Sequence, residues 1–240
     1  MKFNTNSNTY IITYSVVMVV IVAVLLSVAA LGLKPRQEAN MLNEKKTQIV
    51  KALGEDPATV AYDSVIAKAV ILDASGAVVS EDVNDVFAAL NDLKGSFAAG
   101  RFPLFVANNG VVVPLYGAGL WGPIWGYIAL DADMNTVKGI VLDHSGETPG
   151  LGAEITTPKH QAMYPGKTVY EGDAIVGVTL KKGGADKSNP HEVDAITGGT
   201  KTSDGVTAMI SDCLNYYKPY FDAARAAATE VEAESNTINE

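Results

Sequence analysis

Apolar residues fill the first part of the chain without interruption: from Ile11 to Leu33 no position is charged, and Val, Ile, Leu and Ala dominate. As a helix this run spans about 34 Å at ~1.5 Å per residue, enough to cross the hydrocarbon core of a bilayer. Tyr10 and Tyr14 stand at one edge, where aromatic rings favour the interface, and Lys34-Pro35-Arg36 closes the other. The pattern predicts an N-terminal tail over 1–10 and a transmembrane helix over 11–33. A cleaved signal peptide is the competing reading, with Lys2 as its basic start and Ser27-Val28-Ala29-Ala30 as its cleavage site. The apolar run is much longer than the core of such a peptide, which favours a retained anchor.

Beyond the anchor the pattern changes period. Leu42, Ile49 and Leu53 recur at near-helical spacing among charged residues, predicting a stalk helix over 34–54 that Gly54 stops. A soluble domain then occupies 55–228. Val65 to Val79 holds β-branched stretches broken by the turn Asp73-Ala74-Ser75-Gly76, and Val83 to Leu93 reads as a helix. Leu104–Ala107 and Val111–Tyr116 flank Asn108-Asn109-Gly110, a hairpin cue because Asn and Gly tolerate positive φ. Ile124–Leu130 and Val137–Asp143 flank a second polar turn, Ala174–Leu180 alternates, and Lys182–Pro190 is a polar loop. Val206, Met209, Ile210, Cys213, Leu214 and Tyr217 then fall on one face of a helix, with Pro219 as its expected end. Every charge beyond Arg225 is acidic, predicting a solvated, poorly ordered tail over 229–240. Hairpins outnumber alternating β-α pairs, so the expected fold is α+β: a twisted, mainly antiparallel sheet with packed helices, plus the anchor.

A net charge of −9 and the lack of any long basic run exclude nucleic acid as a partner. The single Cys213 forms no internal disulfide, and the three histidines, none at i, i+4 spacing, do not make a metal site. Lys34, Arg36, Lys45 and Lys46 follow the anchor while only Lys2 precedes it. Long domains translocate regardless of such a bias, so the count leaves topology open.

Four segments hold candidate chemistry. Gly117-Ala118-Gly119-Leu120-Trp121-Gly122 has the spacing of a dinucleotide-binding loop, but the strand-like Pro123–Ile128 follows where that loop needs a helix. Its glycines suit backbone approaching backbone, or a planar ligand beside Trp121. Asp131, Asp133 and Asn135 copy the opening of a calcium loop, yet Thr136 and Leu142 stand where Gly and Glu are required; a hairpin turn is the simpler reading. His144 to Gly152 carries Glu147-Thr148-Pro149-Gly150-Leu151-Gly152, either an irregular surface loop or a rigid cradle for a flat ligand. Asp194-Ala195-Ile196-Thr197-Gly198-Gly199-Thr200 runs into Lys201-Thr202-Ser203 and the amphipathic helix. Thr202 or Ser203 serves there as an N-cap, or the helix N-terminus holds a phosphate at Thr200.

Three of these segments, in this order, resemble the FMN-binding domain family that includes NqrC of the sodium-translocating NADH:quinone oxidoreductase and RnfG of the Rnf complex. Asp194 to Thr200 is similar to the family's flavinylation signature Asp-x-x-(Ser/Thr)-Gly-Ala-Thr, with Gly199 in place of Ala. Glu147 to Gly152 and Gly119 to Gly122 are similar to its Glu-Thr-Pro-Gly-Leu-Gly and Gly-Leu-Trp-Gly segments. The resemblance implies that 55–228 is an FMN-binding domain with FMN esterified to Thr200. Asp194, Thr197, Gly198, Gly199, Lys201, Thr202, Trp121, Glu147, Thr148, Pro149, Gly150, Leu151 and Gly152 would complete the site. It further implies a single-pass protein of the bacterial inner membrane with an extracytoplasmic domain, matured by a flavin transferase. The implied partners are the A, B, D, E and F components of the sodium pump and membrane lipid, and the role is electron relay from NADH towards ubiquinone or menaquinone. The RnfG type, serving ferredoxin and NAD⁺, is the alternative; a membrane-tethered flavin-binding sensor is a second.

Overall fold

A computed structural model describes residues 7–238. Lys2, with most of the expected N-terminal tail, and Glu240 lie outside the described residues, as do the side chains of Glu230, Glu232 and Glu234. The chain divides into two compact units between Lys45 and Lys46, inside the segment expected to be a stalk.

The first unit is helical. Helix α1 runs Asn8–Ala52 and is long and apolar enough to cross a membrane, with a mean hydropathy of 3.1 in its most apolar window and none of that window buried. Pro35 lies inside this helix and does not end it. Strong helix formers follow the proline, and Lys34 sits 3.8 Å from Glu38 at i, i+4 spacing across it.

The second unit is built on a six-stranded sheet. Its elements follow as α2 (Tyr62–Val65), β1 (Ile66–Leu72), β2 (Val78–Ser80), α3 (Val83–Asn91), α4 (Leu93–Ala98), β3 (Phe102–Ala107), β4 (Gly110–Ala118), β5 (Pro123–Leu130) and β6 (Val137–His144). A 3-10 turn (Gly152–Thr156), α5 (Pro158–Gln161), β7 (Tyr170–Glu171), β8 (Ala174–Ile175), β9 (Thr179–Lys181), β10 (Glu192–Asp194) and α6 (Thr200–Ile238) complete the chain. Spatial order in the sheet is β2-β1-β3-β4-β5-β6, antiparallel throughout. β7 pairs antiparallel with β8, whereas β9 and β10 form a short parallel ribbon. The α+β class and the mainly antiparallel sheet agree with the sequence pattern.

Alternation along the strands fills two cores. Val70, Leu104, Val113, Leu115, Ile128 and Leu142 face one way, onto Val206, Met209, Ile210, Cys213, Leu214 and Tyr217 of α6. Ile71, Phe105, Val112, Tyr127 and Ala129 face the other, onto Val86, Phe87 and Leu90 of α3 and onto Ile49, Ala52 and Leu53. A one-residue slip would exchange the two faces, so both cores fix the register. The hairpin at Asn108-Asn109 forms with Ala107 opposite Gly110. The would-be calcium segment is a turn in which Asp133 Oδ1 accepts from the Asn135 and Thr136 amides at 2.9 and 2.8 Å. No carboxylate, histidine and cysteine cluster able to hold a metal occurs among the described residues.

Helix α6 corrects two expectations. Pro219 costs the helix one hydrogen bond, yet α6 continues because packing on both sides of the proline outweighs that loss. Tyr217 and Phe221 are each fully buried, and the Tyr217 hydroxyl donates to Pro103 O at 2.8 Å. The helix then runs to Ile238, through the described part of the segment expected to be a solvated, poorly ordered tail; its Ala-rich stretch after Asp222 has high helix propensity.

Candidate functional site

Three loops meet at the start of α6. The first joins β4 to β5, and no helix follows it, so its glycines serve close packing and not a dinucleotide. The Gly119 amide donates to Gly122 O at 2.8 Å, closing a tight turn that leaves Leu120 and Trp121 54% and 69% exposed. The second leaves β6, where the Ser145 amide donates to Pro123 O at 3.1 Å and holds the loop beside β5. Thr148 O accepts from the amides of Leu151 and Ala153, so Thr148, Pro149, Gly150 and Leu151 form an exposed turn while Glu147 and Gly152 are buried. Gly150 stands at φ +74, a conformation that favours glycine.

The third loop is the turn Ile196-Thr197-Gly198-Gly199. The Gly199 amide donates to Ile196 O at 3.0 Å, and Gly198 at φ +75 occupies the turn position that requires positive φ. Gly199 precedes the helix, and Ser203 N donates to its carbonyl at 2.9 Å. Thr200 is therefore the first helical residue, which excludes both Thr202 and Ser203 as the N-cap. Ser203 Oγ instead accepts from Ile196 N at 3.0 Å and ties the turn to the helix. Thr200 and Lys201 are exposed, with Lys201 Nζ 3.9 Å from Asp204. Helix geometry leaves the first-turn amides without intrahelical acceptors, and the positive end of the helix dipole lies among them. An anion is well held in such a place.

Contacts between the loops are backbone-close. A Cβ on Gly198 would lie 2.5 Å from Leu151 Cδ2, and one on Gly199 would lie 2.9 Å from Ile196 Cγ2 and 3.3 Å from Gly152 Cα. The family's alanine at position 199 would thus press on Ile196 in this chain. At the centre sits Glu147, only 4% exposed. Its Oε1 accepts from Trp121 N at 2.9 Å and its Oε2 from Thr202 Oγ1 at 2.5 Å. Burial opposes ionisation of this carboxyl, but the bonds from Thr202, Trp121 and Leu120 outweigh it and hold the group below the usual carboxylate range. Glu147 N donates to His144 Nδ1 at 3.2 Å.

Of the other expected site residues, Asp194 is exposed and its Oδ1 accepts from Ala185 N at 2.7 Å, which turns it towards the preceding polar loop. Thr197 is exposed on the turn. Leu120 and Trp121 also line an open groove of about 700 Å³ with Phe97, Tyr116, Cys213 and Tyr216. That groove borders the middle of α6, on the order of 18 Å along the helix from Thr200 at ~1.5 Å per residue. Sequence reading missed Gly205, whose hypothetical Cβ would lie 2.2 Å from Ala118 O, and the linking role of Ser203. A small residue in the first turns of an otherwise apolar-faced helix was the available signal for Gly205.

Fold and site together define an FMN-binding domain: residues 119–215, which hold all three loops, match the family described as FMN-binding domain. Relatives narrow the class. The chain is 31% identical over 261 aligned positions to the C subunit of the Na(+)-translocating NADH-quinone reductase of Pseudomonas aeruginosa, covering 96% of this chain and 99% of that protein. The protein of the same name from Pasteurella multocida is 40% identical over 141 residues, 56% of this chain and 54% of its own length. Among solved structures, the C subunit of the Na(+)-translocating NADH-quinone reductase from Parabacteroides distasonis superposes with a TM-score of 0.72 at 34% identity, over 79% of this chain and 96% of that one. Shewanella oneidensis NqrC gives 0.66 at 28% identity, over 78% and 99%. The chain belongs to the NqrC family, the C subunits of the Na⁺-translocating NADH-quinone reductase, an oxidoreductase complex.

Proposed function

We propose that this chain carries FMN covalently, as a phosphoester on the Thr200 hydroxyl, and relays electrons from NADH towards a quinone within a sodium-translocating reductase. The observation that carries the reading is the placement of Thr200: exposed, first in α6, at the end of the turn that the flavinylation-like signature builds.

The residues present fit the group. First-turn amides and the helix dipole favour its phosphate, with exposed Lys201 as a cation beside them. Among the described residues beyond Lys45, large exposed apolar side chains are confined to Val78, Val79, Val83, Leu120, Trp121, Leu151 and Tyr216. Leu120, Trp121 and Leu151 stand on the loops that meet α6, and they supply the apolar surface an isoalloxazine ring needs. Gly150 and Gly198 take the positive φ that their turns require, Thr148 and Pro149 stand exposed on the same turn as Leu151, and Thr197 and Asp194 shape the entry to the Thr200 turn. When bound, FMN supplies electron acceptance and donation at its ring; the chain supplies attachment, orientation and electrostatics.

Helix α1 anchors the protein in the bacterial inner membrane, in contact with lipid. We place the FMN domain on the extracytoplasmic side, where a flavin transferase would install the cofactor, and take the A, B, D, E and F components of the reductase as its partners. Intact-mass measurement of full-length chain from flavinylating cells tests the reading. Wild type is expected to carry one FMN-sized adduct that survives denaturation, and Thr200→Ala to carry none. An unmodified wild-type mass, or an adduct retained by Thr200→Ala, ends it.

A further inference from the structure

Glu147 and Thr202 fall within the segments expected to touch the ligand, but their side chains point at each other. We infer that Glu147 is a positioning residue, which ties the Leu120-Trp121 turn to the first turn of α6 and so fixes the ring-facing side chains relative to Thr200 without itself touching flavin. This rests in part on the flavin reading above; the tie itself does not.

Both carboxylate oxygens are occupied from within the chain, Oε1 by the Trp121 amide and Oε2 by Thr202 Oγ1, with the Leu120 backbone also favouring the charged form. The space around them is closed by glycines. A Cβ on Gly119 would lie 2.4 Å from Oε1, and one on Gly152 would lie 2.4 Å from Oε2 and equally close to Thr202 Oγ1. No ligand atom reaches the carboxylate without displacing one of these loops. No Lys or Arg forms a salt bridge with Glu147 among the described residues, so a buried charge is held by hydrogen bonds, by the positive end of α6 and by the neighbouring His144. A carboxylate kept dry on those terms is costly, and an apolar side chain would fill the space more cheaply. What the carboxylate adds is direction: it links segments 26 and 55 residues away in sequence through bonds that only one arrangement of the loops satisfies.

Hydrogen–deuterium exchange on the full-length, detergent-solubilised protein tests the tie, read on peptides covering 119–124 with β3–β4 peptides as the internal standard. In Glu147→Ala the Leu120 and Trp121 amides are expected to exchange about ten- to a hundredfold faster, the range for losing a charged hydrogen bond. Thr202→Val is expected to move in the same direction and Thr202→Ser to restore wild-type exchange, because the serine keeps the hydroxyl. In flavin-loaded protein, Thr202→Val shifts the flavin absorption band and midpoint potential while Thr202→Ser leaves both in place, a split that loss of packing alone does not produce. Unchanged exchange at 119–124 in Glu147→Ala, or Thr202→Ser behaving like Thr202→Val, overturns the inference. Should Glu147→Ala fail to fold, the Thr202 pair decides by itself. Exchange is read equally well without flavin, so a chain lacking an adduct sinks the attachment and spares the tie, whereas an adduct with unchanged exchange does the reverse.

Discussion

Gly205→Ala reverses a general rule and so tests how α6 is seated. In an exposed helix interior this change stabilises by about 1 kcal/mol, because alanine has less backbone freedom to lose. Here the new Cβ would lie 2.2 Å from Ala118 O, 3.3 Å from Ala118 C and 3.6 Å from Gly119 Cα. The obstacle is strand backbone, paired through Ala118 with Pro123 of β5, and it has no rotamer to adopt. The helix or the strand end must move by about an ångström, and overpacking of this kind costs about 1–3 kcal/mol, more where backbone must yield. We expect a net loss of about 2 kcal/mol, a fall in Tm of about 4–8 °C for a domain of this size. Since Ala118 leads into the Leu120-Trp121 turn, the same variant is expected to shift the flavin spectrum. Thermal unfolding followed by circular dichroism reads the first effect. A Tm equal to or above wild type would refute the claimed backbone contact.

Phe221→Ala, on the far side of Pro219, removes a fully buried ring and is expected to cost about 3–5 kcal/mol; denaturant unfolding showing a loss under about 1 kcal/mol would mean that the helix does not dock beyond the proline. Burial pushes the His160 imidazole down to about 4, with the Asp194 charge opposing the shift, and its Nε2 lies 3.1 Å from the Tyr164 hydroxyl. The folded state therefore binds a proton less readily than the unfolded chain, whose histidine titrates near ~6.5. The stability this group contributes is complete above ~6.5 and falls, by at most about 3 kcal/mol, as pH drops through that value towards 4. His160→Gln is expected to flatten the pH dependence of Tm in that window, and an unchanged slope would count against the assignment.

Local pattern revealed what local forces decide. The apolar stripe from Val206 to Tyr217 marked α6, and Asn108-Asn109-Gly110 marked its hairpin, because helical spacing and turn chemistry are written within a few residues. Pro219 misled because its cost is local while the packing that overrides it is not: Phe221 meets a core built from strands far earlier in the chain. The motifs marked the three loops that meet at the start of α6, yet the bond between Glu147 and Thr202 was hidden, since their pairing spans 55 residues and only the fold brings them together.

The openness of the site bears on the kind of attachment proposed for it. Ligands held by non-covalent contacts alone usually have most of their surface enclosed. Around Thr200 the chain offers a shelf: Thr148, Pro149, Gly150, Leu151, Thr197, Gly198 and Lys201 are all exposed, and the 700 Å³ groove borders the middle of α6 instead of its start. A shelf lets redox partners approach closely but retains a cofactor poorly. An ester to Thr200 would remove that conflict, because a bond makes retention independent of burial. Enclosure and ester are then alternative solutions to one problem, and a chain of this architecture that bound flavin reversibly would need walls that these loops do not build.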